Sequence, residues 1–152
     1  MIKVVVGDLL EAEENILVHQ VNAQGKMGSG IAKQIRTKYP KVYEEYKAFC
    51  DNKAPQELIG KLQAVNVDGG KIVINLFGQY NYGYDGERYT SYDALYDGLE
   101  HIKKVAKENK LSVAVPHSIG CGLGGANWSI VYKIIEEIFE DYEVTIYKLE
   151  EN

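Results

Sequence analysis

The sequence predicts an α/β fold, a three-layer α/β/α sandwich around a central mixed sheet. Three observations point there. Runs of β-branched residues alternate along the chain with segments of helical apolar spacing. Leu111 to Val115 is almost continuously apolar, as expected of a strand covered on both faces. Lys61–Val67 and Lys71–Phe77 are separated only by Asp68-Gly69-Gly70, which predicts a hairpin and makes the sheet mixed. The 152 residues suit one domain over 1–152, with no repeat, linker or low-complexity tract.

Taken in order, Val4–Val6 and Ile16–Val21 read as strands separated by an acidic loop. Ile31–Lys38 reads as a helix, and Pro40, well suited to a first helical position, opens another. In this second helix Val42, Tyr43, Tyr46, Phe49 and Cys50 share one face. After the hairpin, Ser91 is the expected N-cap of a helix whose Tyr92, Leu95, Leu99, Ile102 and Ala106 point inward. Trp128–Phe139 is expected to be helical, with Val131, Ile134, Ile135 and Ile138 inward, and Glu143–Leu149 to close the sheet.

Composition narrows the partners. Acids exceed bases by 22 to 17, giving a net charge of −5. Polynucleotide binding draws on a surplus of Lys and Arg, so nucleic acid is not expected. No apolar run has membrane-spanning length, and Met1-Ile2-Lys3-Val4-Val5-Val6 lacks a signal-peptide layout. Cys50 and Cys121 form no disulfide framework, and no Cys/His cluster has metal spacing. The expected compartment is the cytoplasm, with no cofactor and no metal.

The chemistry gathers in loops that follow predicted strands. Gly25, Gly28 and Gly30 fall within six positions where strand turns to helix. Glycines let a ligand approach the backbone N–H groups closely, and a helix N-terminus adds free donors and a positive dipole end. Ser118–Gly125 holds four glycines in its last six residues and runs into the helix at Trp128. Two such loops at one sheet edge suit a diphosphate, although either alone is compatible with a purely structural turn. No Gly-Lys-Ser/Thr follows the glycines, so this is no Walker A loop. The third glycine and the acidic residue of a dinucleotide fingerprint are also missing.

Gly7-Asp8-Leu9, His19-x-x-Asn22, Met27-Gly28-Ser29-Gly30-Ile31-Ala32 and Ile119-Gly120-Cys121-Gly122-Leu123 together resemble the motifs of a macrodomain. The resemblance covers nearly the whole chain and is greatest to small ADP-ribose-1″-phosphate processing macrodomains, relatives of the terminal-ADP-ribose glycohydrolases. It implies an ADP-ribose pocket. Asp8 would accept a hydrogen bond from the adenine amino group, with Leu9 beside the ring. Asn22 would lie near the distal ribose, and Met27, Gly28, Ser29, Gly30 and Ile31 along one side of the diphosphate. Ile119, Gly120, Cys121, Gly122, Leu123 and Gly124 would wrap the other phosphate and the distal sugar. A turn-capping role for Asp8 is the competing reading.

Catalysis is less legible. His19 suits a general acid or base by its ordinary pKa, with Asn22 orienting the sugar, but it suits a hydrogen-bonded core residue equally. His117 is a second candidate, or a loop surface residue. The similar glycohydrolases use a Lys nucleophile and an Asp. Here Gly78-Gln79-Tyr80-Asn81 brings no lysine, the aspartate's place falls on Gly124, and Asn127 reads as an N-cap where related sequences carry an acid. Tyr80, Tyr82, Tyr84, Tyr89 and Tyr92 lie on a segment read as a loop over the ligand, with Tyr92 toward the core. Stacked on single-stranded nucleic acid they would lack supporting positive charge. The expectation is ADP-ribose binding with hydrolysis of a derivative, foremost dephosphorylation of ADP-ribose 1″-phosphate. The alternatives are a non-catalytic reader and a de-ADP-ribosylating hydrolase.

Overall fold

A computed structural model describes residues 1–149. Six strands form one sheet in the order β1-β6-β5-β2-β4-β3. They are β1 (Ile2–Val6), β2 (Ile16–Asn22), β3 (Leu62–Val67), β4 (Lys71–Gln79), β5 (Val113–Pro116) and β6 (Val144–Lys148). All pairings are parallel except β3–β4, which a short turn at Asp68–Gly70 joins as the expected hairpin. The helices are α1 (Gly30–Lys38), α2 (Pro40–Asp51), α3 (Tyr92–Asn109) and α4 (Trp128–Ile138).

Alternation within the strands distributes the helices. Ile16, Val18, Ile74 and Leu76 pack with Leu95, Leu99, Ile102, Val131 and Ile135 of α3 and α4. Val21, Val73 and Phe77 project to the opposite face, against Ile35, Val42 and Tyr46 of α1 and α2. This is the predicted sandwich, and its central strands are buried because both faces are covered. Ser91 accepts from the Ala94 N–H and Asn127 from the Ser129 N–H, both as the expected N-caps.

Some strand limits shift. β5 begins at Val113, because the Leu111 N–H still donates to Ala106 of α3 and the Ser112 hydroxyl bonds Asn15. β4 runs past Phe77 to Gln79, with a register change: Val21 faces Phe77 but Asn22 faces Gln79, leaving Gly78 as an extra residue. Such a bulge re-aims the residues beyond it. It lies at the carboxyl edge of the sheet, where the cleft opens.

Candidate functional site

A cleft of about 640 Å³ lies along the carboxyl ends of β2, β4, β5 and β6. Its floor is Gln20, Val21, Asn22 and Gln79, and its walls are Lys26–Ala32 and His117–Gly124. Tyr82, Gly83 and Tyr84, from the segment joining β4 to α3, complete the lining. The tyrosine loop therefore does border the cleft, as expected. Tyr92 packs against the core, and its hydroxyl accepts from the Asn127 N–H.

One wall is a helix N-terminus. Ser29 occupies the N-cap of α1 but makes no side-chain cap, and its hydroxyl lies 3.1 Å from that of Tyr84 instead. The first-turn N–H groups beside the cleft thus keep their donor capacity and the positive end of the dipole. The turn before it is shaped by Asn22. Its Nδ2 donates to the Lys26 carbonyl at 2.8 Å, and its Oδ1 accepts from the Gln24 N–H at 2.9 Å and the Tyr46 hydroxyl at 3.0 Å.

The facing wall is held from inside. The N–H groups of Ile119, Cys121, Gly125 and Ala126 donate to carbonyls of Pro116, Ser118, Gly122 and Gly120. Among the described residues, those of Gly120, Gly122, Leu123 and Gly124 donate to no backbone carbonyl. Gly120 sits at φ +76°, a conformation open to glycine at no steric cost. Ser118 is also left-handed, at φ +66°. A Cβ on Gly124 would lie 2.5 Å from Thr90 Oγ1 and 2.6 Å from the Gly120 carbonyl, so this position excludes any side chain. That is the place onto which the resemblance puts an aspartate.

Of the residues nominated from sequence, the cleft gathers Asn22, Met27, Gly28, Ser29, Gly30, Ile31, Ile119, Gly120, Gly122, Leu123 and Gly124. His19 requires correction as an acid–base candidate. It is mid-strand and wholly buried, its Nε2 2.5 Å from Asn75 Oδ1. Desolvation pulls its pKa down to about 4 against a smaller opposing effect of that hydrogen bond, so the ring is a neutral core residue outside the cleft lining. Asn22 lines the cleft, but its amide is engaged in the turn and holds backbone rather than exchanging protons. Asp8 accepts from the Leu10 N–H at 2.9 Å, the turn-capping role weighed against adenine binding, and does not line the cleft. Leu9 is buried against Ala12, Leu17 and Ala114. Cys121 packs toward the α3–α4 core, and burial pushes its thiol pKa up.

His117 does border the cleft, at its β5–β6 end beside Pro116 and Leu149. Its Nδ1 is 2.8 Å from Ser118 Oγ and its ring packs 4.5 Å from that of Trp128. Burial, with a smaller contribution from Lys148, lowers its pKa and favours the neutral ring.

The sequence reading missed a polar cluster in the floor. Gln20 Nε2 donates to Gln79 Oε1 and Thr90 Oγ1, each at 2.7 Å. A polar residue inside the apolar run from Ile16 to Val21 was the available signal. Lys26 and Arg36 were missed too. Both line the cleft, with Arg36 stacked 3.6 Å above the ring of Tyr43. Among the described residues no carboxylate lines the cleft and no cluster could hold a metal. No described helix is long and apolar enough to cross a membrane.

Similarity to known proteins agrees with this geometry. The family model described as Macro domain matches residues 18–135. A Mycobacterium tuberculosis protein named DNA ADP-ribosyl glycohydrolase is 36% identical over 148 residues, covering 93% of this chain but 40% of the relative. The chain thus spans less than half the length of that relative. A Saccharomyces cerevisiae ADP-ribose 1″-phosphate phosphatase is 28% identical over 174 residues, covering 94% of this chain and 96% of the other. The structure of Thermosipho africanus DarTG in complex with ADP-ribose superposes with a TM-score of 0.82 at 25% identity, over 99% of this chain and 42% of that one. With the fold, the glycine-walled cleft and the family match in agreement, the chain belongs to the Macro domain family.

Proposed function

We propose that the cleft binds ADP-ribose and that the protein hydrolyses an ADP-ribose derivative there, ADP-ribose 1″-phosphate foremost. The observation that carries this is the pair of N–H-rich walls, the α1 N-terminus and the Gly120–Gly124 loop, facing each other across the cleft. Backbone donors on both sides suit a diphosphate without a surplus of Lys and Arg. Adenine is assigned to the β5–β6 end of the cleft, beside Pro116, His117 and Leu149. Residues 27–31 and 119–124 hold the diphosphate, and the distal ribose extends toward Asn22, Gln79 and Lys26. His117 then neighbours the adenosine half rather than the reacting carbon.

Hydrolysis of the 1″-phosphate would proceed by attack of water on phosphorus. The bond from phosphorus to the sugar oxygen breaks, and inorganic phosphate and ADP-ribose are released. Lys26 and free backbone N–H groups supply charge stabilisation. With no carboxylate or histidine at that end to move protons, turnover is expected to be slow. The same feature favours a second reading, a reader that binds ADP-ribose without cutting it. The cytoplasm is the proposed compartment.

Calorimetry with ADP-ribose tests the binding, and absence of heat at millimolar ligand would refute both readings. Phosphate release from ADP-ribose 1″-phosphate then separates them: release supports the enzyme, and binding without release supports the reader. Lys26→Met should slow release while sparing ADP-ribose affinity.

A further inference from the structure

We propose that Thr90 and Gln20 form a latch that sets the Gly120–Gly124 loop in its ligand-accepting shape, making both positioning residues of the cleft. The proposal rests on the ADP-ribose reading above for its ligand, but its geometry stands independently of it. Thr90, at the start of α3's approach, is 2% exposed. Its hydroxyl donates to the Gly120 carbonyl at 2.8 Å and accepts from Gln20 Nε2 at 2.7 Å. Its N–H donates to the Gly124 carbonyl at 3.0 Å, a group that also accepts from the Tyr89 N–H at 2.8 Å. The Ala126 N–H adds a second donor to Gly120, at 3.0 Å.

One residue thus grips two carbonyls of the loop. The consequence is electrostatic. A carbonyl turned toward a diphosphate presents its negative end, whereas one tied back leaves the loop's unpaired N–H groups beside the ligand. The hydroxyl serves as a relay with a fixed direction. Gln20 donates into it, so its own proton is directed to Gly120. Gln20 is fixed in turn by Gln79 Oε1 at 2.7 Å, which ties the latch to the floor of the cleft. Packing leaves little slack, because a Cβ on Gly120 would lie 3.0 Å from Gln20 Oε1 and 3.2 Å from Thr90 Oγ1. The tyrosine segment is coupled through the same residues, since Thr90 lies within it.

Thr90→Val keeps the shape and deletes the hydroxyl, and Thr90→Ser keeps the hydroxyl and deletes the methyl. If Thr90 only packs, valine is tolerated and serine is not. If it is a latch, the order reverses. Calorimetry should show ADP-ribose binding weakened about five-fold in Thr90→Val, the scale of one net hydrogen bond, and close to wild type in Thr90→Ser. Gln20→Leu should shift affinity in the same direction as valine. Without ligand, amide exchange at Ala126 and Tyr89, whose N–H groups share the gripped carbonyls, should quicken in Thr90→Val and not in Thr90→Ser. Valine matching wild type in both measurements, or serine behaving like valine, would overturn the latch. Failure of wild-type protein to bind ADP-ribose would instead refute the ligand, leaving amide exchange to decide the latch alone.

Discussion

Gly78 offers the most direct test of how the cleft floor is built. A Cβ at this position would lie 2.2 Å from Gln20 Oε1, 2.6 Å from its Cδ and 3.0 Å from its Cγ. All three nearest atoms belong to one side chain. Gly78→Ala must therefore evict the Gln20 amide and break its two hydrogen bonds, to Gln79 and Thr90, at 2.7 Å each. Two net hydrogen bonds contribute about 2 kcal/mol, and overpacking in a tight site adds about 1 kcal/mol or more. Roughly 3 kcal/mol corresponds to a fall in Tm of about 6–12 °C at this size. The assay is a double-mutant cycle by thermal and denaturant unfolding. In a Gln20→Ala background the colliding side chain is gone, so Gly78→Ala should cost no more than about 0.5 kcal/mol. An equal cost in both backgrounds would refute the argument, since it would place the strain somewhere other than Gln20. ADP-ribose affinity should fall with stability in Gly78→Ala, because displaced Gln20 releases Thr90.

The burial of His19 predicts a pH dependence of folding. Its folded pKa of about 4 lies below the unfolded value of 6.5, so the unfolded state binds the proton first. Stability is then complete above pH 6.5 and declines as pH falls toward 4, by about 3 kcal/mol in all. His19→Gln should flatten this part of the profile in unfolding scans between pH 7 and 5, and an unchanged slope would contradict it. Tyr84→Phe removes the hydroxyl beside Ser29 but keeps the ring, and should speed ADP-ribose dissociation two- to three-fold, about the effect of an exposed hydrogen bond, as followed by stopped flow. Asn127→Ala deletes the α4 cap and should cost about 1 kcal/mol, seen as a Tm drop of roughly 2–4 °C with ADP-ribose affinity unchanged.

The layers and both N–H walls were legible because they rest on local signals. Periodicity separates strand from helix, a three-residue connection fixes the antiparallel edge, and dense glycine marks where backbone must approach a ligand. His19 and Leu9 both belong to motifs that border the cleft, yet lie outside its lining for a common reason. A motif carries residues on both sides of a strand or turn, and sequence spacing does not say which side meets the cleft. His19 projects with Val21 toward α2. Its neighbour Gln20 projects the other way, into the floor. The bulge at Gly78 was invisible because it exists only relative to a partner strand.

The same cluster bears on whether the protein cuts what it binds. The resemblance leaves two catalytic places without their expected groups, the loop after β4 and position 124. Gly124 excludes a side chain because Thr90 Oγ1 and the Gly120 carbonyl occupy the space. A carboxylate at position 124 would therefore require removal of the hydroxyl that ties back Gly120. The neutral amide–hydroxyl cluster and the missing carboxylate are thus two aspects of one packing solution. It fills the buried volume beneath the Gly120–Gly124 loop with groups that hold the loop's shape, and no carboxylate lines the cleft among the described residues. On the ADP-ribose reading proposed above, such a site favours binding, and hydrolysis would draw on water, Lys26 and the backbone donors.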